Sequence, residues 1–235
     1  MKNNKIGIIG AGSWGTAIAG IISRKGLDAY LWGHRKEHVD ALLHDKENKK
    51  YLPGLYFPDN LKVTADLSKV VNSCNVLCMV VPSQIYRSVF CDVLKSINND
   101  KIIVSAVKGI ENDTLSTMTE IMADETLKSS LLYTVDLAVL SGPSFAREVA
   151  DSVPTAVTIG CKNNETAQIL QYLFGTDHFR VYTSNDVIGL ELSAAFKNII
   201  ALATGICDGL GYGMNTRAAL ITRGLAEITR LGIKC

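Results

Sequence analysis

Three sets of residues have the types and spacing to do chemistry. Gly10, Gly12 and Gly15 fall on a G-x-G-x-x-G spacing within Ile6-Gly7-Ile8-Ile9-Gly10-Ala11-Gly12-Ser13-Trp14-Gly15. Gly10 suits a tight turn, Gly12 a close approach of backbone to a pyrophosphate, and Gly15 close helix–strand packing. The helix that follows offers unpaired N–H groups and a positive dipole end to phosphates. The plainer reading is a structural strand–helix turn. A second set, Lys108-Gly109 and Ser141-Gly142-Pro143-Ser144, follows apolar runs of strand length. In open α/β sheets ligands bind outside the carboxyl ends of strands. Lys108 is therefore a candidate ligand contact, the alternative being an ordinary surface lysine. The third is Lys197, since only Glu191 and Lys197 are charged between Ile188 and Cys207. An ammonium among small uncharged residues needs a partner or a lowered pKa, which suits a proton shuttle or anion anchor. A snorkelling or ion-paired structural lysine is the alternative. Asn198 beside it adds donors and an acceptor.

The elements that must carry these residues alternate. Strands are expected at Ile6–Ile9, Ala29–Trp32, Leu61–Val63, Val76–Val81, Ile102–Ala106, Leu137–Leu140, Thr155–Ile159 and Phe179–Tyr182. Helices are expected from Ser13, over 36–48, 68–71, after Gln84 with Ile85, Val89, Val93 and Ile97 on one face, over 114–123, 145–149 and 164–174. Continuous apolar strands suit a mostly parallel sheet covered on both faces. Residues 48–54 read as a loop from which Tyr51 closes over a cofactor. The second strand ends at Gly33-His34-Arg35 without the acidic residue that binds a ribose 2′-hydroxyl. His34 and Arg35 leave NADP open beside NAD, or are solvated helix-start residues. From about residue 187 the pattern becomes all helix, Ile188–Asp208 and then Asn215 to about Leu231. In the first of these, Leu192, Phe196, Ile199, Ala203 and Ile206 share an apolar face, and Lys197 points the other way. The sparse charge predicts a helix enclosed on most sides. The fold class is thus α/β, with a Rossmann-type dinucleotide-binding domain over 1–185 and the beginning of an all-α substrate domain over 186–235.

Composition bounds the function. The 235 residues are 47% hydrophobic and 20% charged with net charge +1, and no basic run exceeds Lys49-Lys50. Nucleic acid and anionic membranes are not expected partners. The N-terminal apolar run is broken by glycines, so it is no signal peptide, and no membrane span is expected. The six cysteines, Cys235 included, lack C-x-x-C pairing and read as free thiols in a reducing cytoplasm, with no metal site.

Together the motifs resemble those of the bacterial NAD(P)-dependent glycerol-3-phosphate dehydrogenases. The likeness rests on Gly10-Ala11-Gly12-Ser13-Trp14-Gly15-Thr16-Ala17, Val81-Pro82-Ser83-Gln84, Lys108-Gly109-Ile110-Glu111, Ser141-Gly142-Pro143-Ser144-Phe145-Ala146, Lys197-Asn198 and Ala219-Leu220-Ile221-Thr222-Arg223-Gly224-Leu225-Ala226-Glu227. It implies interconversion of sn-glycerol 3-phosphate and dihydroxyacetone phosphate in the cytoplasm, for glycerophospholipid synthesis. By position, Ser13, Trp14, His34, Arg35, Tyr51 and Ala146 would contact NAD or NADP, and Lys108 both cofactor and substrate. Gly142, Ser144 and Asn198 would line the substrate site, and Lys197 would be the general acid/base. The family continues into further helices that hold the substrate phosphate. The expectation is a C-terminally shortened chain that binds cofactor better than substrate. The arrangement kept in view is a homodimer. The alternatives are a ketopantoate or 3-hydroxyacid reductase and a non-catalytic dinucleotide sensor. The 3-hydroxyacid type is disfavoured because Ala201, not Asn, stands four residues after Lys197.

Overall fold

A computed structural model describes residues 5–234, so the expectation for Cys235 lies outside the described residues. The chain begins β1 (Ile6–Ile9), α1 (Ser13–Arg24), β2 (Ala29–Trp32), α2 (Lys36–Asp45), β3 (Glu47–Asn48), β4 (Leu52–Tyr56), β5 (Leu61–Thr64) and α3 (Leu67–Ser73). It continues through β6 (Val76–Met79), a 3-10 turn at Ser83–Ile85, α4 (Tyr86–Lys95), β7 (Lys101–Ser105), α5 (Met118–Lys128) and β8 (Val135–Ser141). Last come α6 (Ala146–Ala150), β9 (Thr155–Cys161), α7 (Asn164–Phe174), β10 (Phe179–Ser184), α8 (Val187–Gly209) and α9 (Met214–Gly232).

Eight strands form one sheet in the order β10-β9-β8-β7-β6-β1-β2-β5. All neighbours pair parallel except β8 and β9. The central strands are buried on both faces, which explains their uninterrupted apolar runs. On one face Ile18 and Ile22 of α1 and Leu170 and Phe174 of α7 close the core. On the other, Phe90 and Val93 of α4 meet Ile121 and Met122 of α5.

The β8–β9 reversal positions the last helices. Ser184 at the end of β10 pairs level with Gly160, which faces Val139 in the middle of β8. From there α8, capped by the Asp186 carboxylate on the Gly189 N–H at 2.9 Å, climbs past β9 and β8 towards the carboxyl edge. Gly160 permits that path, because a Cβ there would lie 2.8 Å from Leu190 Cδ1 and 2.7 Å from Val139 Cγ1.

Several expectations are corrected. Residues 47–56 form a β3–β4 hairpin, not a loop, because buried Asn48 bonds the glycine turn across the chain. In α4 the covered residues are Tyr86, Phe90, Val93 and Leu94, while Ile85 lies before the helix and is exposed. The helix expected over 114–123 begins only after Thr117, whose hydroxyl and the Glu120 carboxylate form a capping box. The apolar face of α8 is the largest revision. Ile199 and Ile206 are exposed, and Val187, Glu191, Ala194 and Thr204 are the buried residues. Periodicity showed which residues share a face, but the carboxylate of Glu191 found a partner on α5 and turned the polar line inward. The helix is therefore not enclosed on most sides. It is also long and apolar enough to cross a bilayer, with a mean hydropathy of 1.5 over 18 residues, against the expectation of no such stretch. Glu191 and Lys197 both engage the sheet domain, however, and α9 packs alongside it, with Ile200 Cδ1 2.4 Å from where a Cβ on Gly224 would stand.

Candidate active site

The site is assembled at the carboxyl edge of the parallel strands, beginning with the turn after β1. Gly10 has φ +129°, and a Cβ there would stand 2.4 Å from the Val80 carbonyl oxygen. At Gly15 a Cβ would lie 1.8 Å from the Gly10 carbonyl oxygen. Gly12 differs, having nothing within 4 Å. Two glycines are required by packing, while the third faces open space at the start of α1, where no side chain caps the helix. That is a cradle a Cβ would fill, and it fits a pyrophosphate on the free N–H groups of Ser13 and Trp14.

The cradle is braced from behind by residues that the motif does not include. Asn48 Nδ2 donates to the Ala11 carbonyl at 3.1 Å and to Thr16 Oγ1 at 2.8 Å, and His38 Nε2 lies 3.2 Å from the same carbonyl. Asn48 is fully buried. Nothing in the sequence singles out Asn48, and its segment read as loop. Beyond the brace, Arg35 Nη2 donates to Tyr51 Oη at 3.1 Å, and the Tyr51 ring meets His38 edge-on at 5.2 Å. His34 is exposed and packs edge-on against Trp32. His34, Arg35 and Tyr51 thus gather at the β2 end of the edge, where an adenosine ribose would lie.

At the other end, Lys108 and Lys197 come together over the turn after β8. Lys108 Nζ donates to Ser144 Oγ at 3.1 Å and stands 5.5 Å from the centre of the Trp14 ring. Lys197 Nζ donates to the Gly142 carbonyl at 3.1 Å, and Ser144 Oγ donates to that same carbonyl at 3.3 Å. Gly142 has φ +151°, and a Cβ would sit 2.9 Å from the Ala156 carbonyl oxygen, so the turn requires glycine. Trp14 joins the two ends, its N–H in the cradle and its ring facing the lysine. Ala146 is half-buried at the start of α6, packed against the core on the α1 side. Asn198 is exposed and has no hydrogen-bond partner among the described residues, so the structure does not bring it into this cluster.

The two ammonium groups perturb each other. Burial, the nearby charge of Lys197 and a hydrogen bond from it bring Lys108 down to about 8. Burial also lowers Lys197, while its bond to Lys108 pushes the other way. Both ammonium groups are lowered, so the pair holds its two protons less firmly than free lysines do. Such a pair gives up a proton near pH 8 more readily than an ordinary lysine.

Each lysine has its own mount. The Lys108 loop is held by Gln84, whose amide donates to the Ile110 carbonyl at 2.9 Å and accepts from the Asn112 N–H at 3.1 Å. Arg87 grips the next carboxylate, Glu111, at 2.6 Å, and holds its carboxyl down at about 2. On α8, the Glu191 carboxylate accepts from the Thr119 N–H at 2.9 Å and from its hydroxyl. Burial pushes Glu191 up, and the Thr119 bonds oppose that. Sequence reasoning noted Glu191 only as a charge.

Comparison with known proteins decides the family. The model of the NAD-dependent glycerol-3-phosphate dehydrogenase N-terminus matches residues 5–167, and that of the C-terminus matches 186–235. The chain belongs to the NAD-dependent glycerol-3-phosphate dehydrogenase family. The glycerol-3-phosphate dehydrogenase [NAD(P)+] of Desulfotalea psychrophila is 55% identical, over 97% of this chain and 67% of that protein. That of Citrifermentans bemidjiense is 50% identical, over 97% and 68%. The crystal structure of a glycerol-3-phosphate dehydrogenase from Coxiella burnetii superposes with a TM-score of 0.88 at 41% identity, over 97% of this chain and 68% of that one. The chain therefore spans about two thirds of the length of these relatives. A glycerol-3-phosphate dehydrogenase of this family is an NAD(P)-dependent oxidoreductase, and the α/β fold with a parallel Rossmann-type sheet is the one found here. Among the described residues no group of three or more His, Cys, Asp or Glu side chains is placed to hold a metal ion.

Proposed function

We propose that Lys197 is the general acid/base for interconversion of sn-glycerol 3-phosphate and dihydroxyacetone phosphate, with Lys108 as its proton partner. The observation that carries this reading is the pair of neighbouring lysines on Gly142 and Ser144, one residue contact away from Trp14 at the glycine cradle. Gly10, Gly12, Ser13, Trp14 and Gly15 would hold the pyrophosphate, and His34, Arg35 and Tyr51 the adenosine end, with either NAD or NADP accommodated. A bound nicotinamide supplies or accepts the hydride at substrate C2. The chain's own task is to orient the reactants and manage one proton. In the reducing direction the Lys197 ammonium donates to the oxygen developing charge at C2. In the oxidising direction Lys108, neutral above about pH 8, first takes a proton from Lys197. The freed Lys197 amine then accepts the C2 hydroxyl proton.

In this reading residues 1–185 form the dinucleotide-binding domain and 186–235 the first part of the substrate domain. The enzyme works in the cytoplasm, and its product feeds glycerophospholipid synthesis. A spectrophotometric assay tests the reaction directly. NADH or NADPH should be oxidised with dihydroxyacetone phosphate and left untouched with ketopantoate or a 3-oxoacid. Oxidation with the latter two alone would favour a related reductase. Tight nucleotide binding without turnover on any of the three would favour a dinucleotide sensor.

A further inference from the structure

Lys197 lies near the middle of a 23-residue helix whose outer face, with Ile199, Leu202 and Ile206, is exposed, so something must fix where its ammonium stands. Three anchors lie within the first eleven residues of α8. The Leu190 carbonyl accepts from Ser141 Oγ at 3.2 Å, Lys197 itself donates to Gly142, and Glu191 reaches sideways to α5. Glu191 is only 4% exposed. Its carboxylate takes both the backbone N–H and the hydroxyl of Thr119, in the first turn of α5. A helix amino terminus offers unpaired N–H groups and a positive dipole end, so an acceptor-only carboxylate is the side chain that can satisfy it. The other two anchors hold α8 to β8. Glu191 ties it to the neighbouring layer through α5 and so resists rotation about the helix axis.

The same α5 also bears on the other lysine. Arg87, which grips Glu111 beyond Lys108, donates to Glu125 at 2.5 Å and to Asp124 at 3.2 Å on α5. One helix therefore mounts both sides of the pair, Glu191 at its amino end and the Arg87 cluster further along.

We propose that Glu191 is a positioning residue for Lys197, seating α8 on the amino-terminal turn of α5 so that the lysine stands against Gly142 and beside Lys108. The inference rests on the reading that this pair handles the proton, yet the placement is testable without turnover. Lysine carrying 13C at Cε would be incorporated, and the Lys108 signal assigned with Lys108→Met and followed by NMR as pH is raised. In the unaltered chain burial and the neighbouring Lys197 should bring the Lys108 titration to about 8. In Glu191→Ala the titration should move up from about 8 because Lys197 leaves its side, while burial, the larger cause of the shift, keeps it below the ordinary 10.5. Glu191→Gln keeps an acceptor for the Thr119 N–H and should stay nearest the unaltered chain. Thr119→Val, which removes only the hydroxyl donor, should fall between them and serves if Glu191→Ala does not fold. In turnover, Glu191→Ala should lower kcat by about 10- to 100-fold, the scale of a misplaced reacting group, with nucleotide Kd unchanged. A Lys108 titration unmoved in both folded Glu191→Ala and Thr119→Val would overturn the inference. Absence of turnover in the unaltered enzyme would instead count against the proposed reaction, and the titration would still decide this point.

Discussion

Two strand-to-helix turns at the carboxyl edge of this sheet both depend on glycine, and they are built differently. The turn after β1 is set by its backbone: Gly15 is pressed against the Gly10 carbonyl within the motif, Gly10 against the Val80 carbonyl beyond β6, and Gly12 is left open. The turn after β8 is held by distant parts of the chain. Gly142 is pressed against β9, its carbonyl takes Lys197 from α8, and Ser144 takes Lys108 from beyond β7. A cradle for a phosphate needs backbone N–H groups, which a short motif supplies by itself. A proton-handling pair needs two charges brought close at a cost, and only long-range packing can impose that.

Substitutions can break this contrast. The largest expected effect is at Lys197, where Ala should lower turnover by about a thousandfold, within the usual range for losing a general acid/base. Nucleotide affinity, read by fluorescence titration, should hardly change. At the local turn the two glycines should separate cleanly. Gly15→Ala, with its Cβ 1.8 Å from a carbonyl oxygen, should cost about 3 kcal/mol in denaturant unfolding. Gly12→Ala should leave stability within about 0.5 kcal/mol, since the added methyl meets nothing. It should nevertheless weaken nucleotide binding about tenfold, about 1.4 kcal/mol, by occupying the approach to the phosphates.

The smallest effect concerns the strain between the lysines. Lys108 binds its proton more weakly folded than unfolded, so its charged form opposes folding below about pH 8. Stability should therefore rise as pH climbs from about 8 to 10.5. Lys108→Met should stabilise the chain at pH 7 by about 1 kcal/mol after allowance for solvent screening. That gain should shrink from about pH 8 and be gone by about pH 10.5 in pH-resolved thermal unfolding.

The same contrast explains what could be read in advance. The β1 turn was legible because its tightest contact, Gly15 on the Gly10 carbonyl, lies inside the motif, although Gly10 also meets Val80 seventy residues on. Lys197 stood out because a lone ammonium among Ser193, Ala194 and Ala201 is anomalous on any helix. The covered face of α8 was not legible, since apolar periodicity ranks faces by hydrophobicity and could not foresee Glu191 on the turn of α5. Nor was the β3–β4 hairpin, whose register depends on Asn48 reaching Ala11 and Thr16 more than thirty residues back. In both cases the deciding interaction is one polar side chain satisfying another element's backbone, which leaves no period in the sequence.

The account turns on the two lysines acting as one proton-handling unit, and the pH dependence of sn-glycerol 3-phosphate oxidation tests it most directly. The rate should rise through an apparent pKa near 8 in the unaltered enzyme, and that limb should vanish in Lys108→Met. The same limb persisting in Lys108→Met would contradict it.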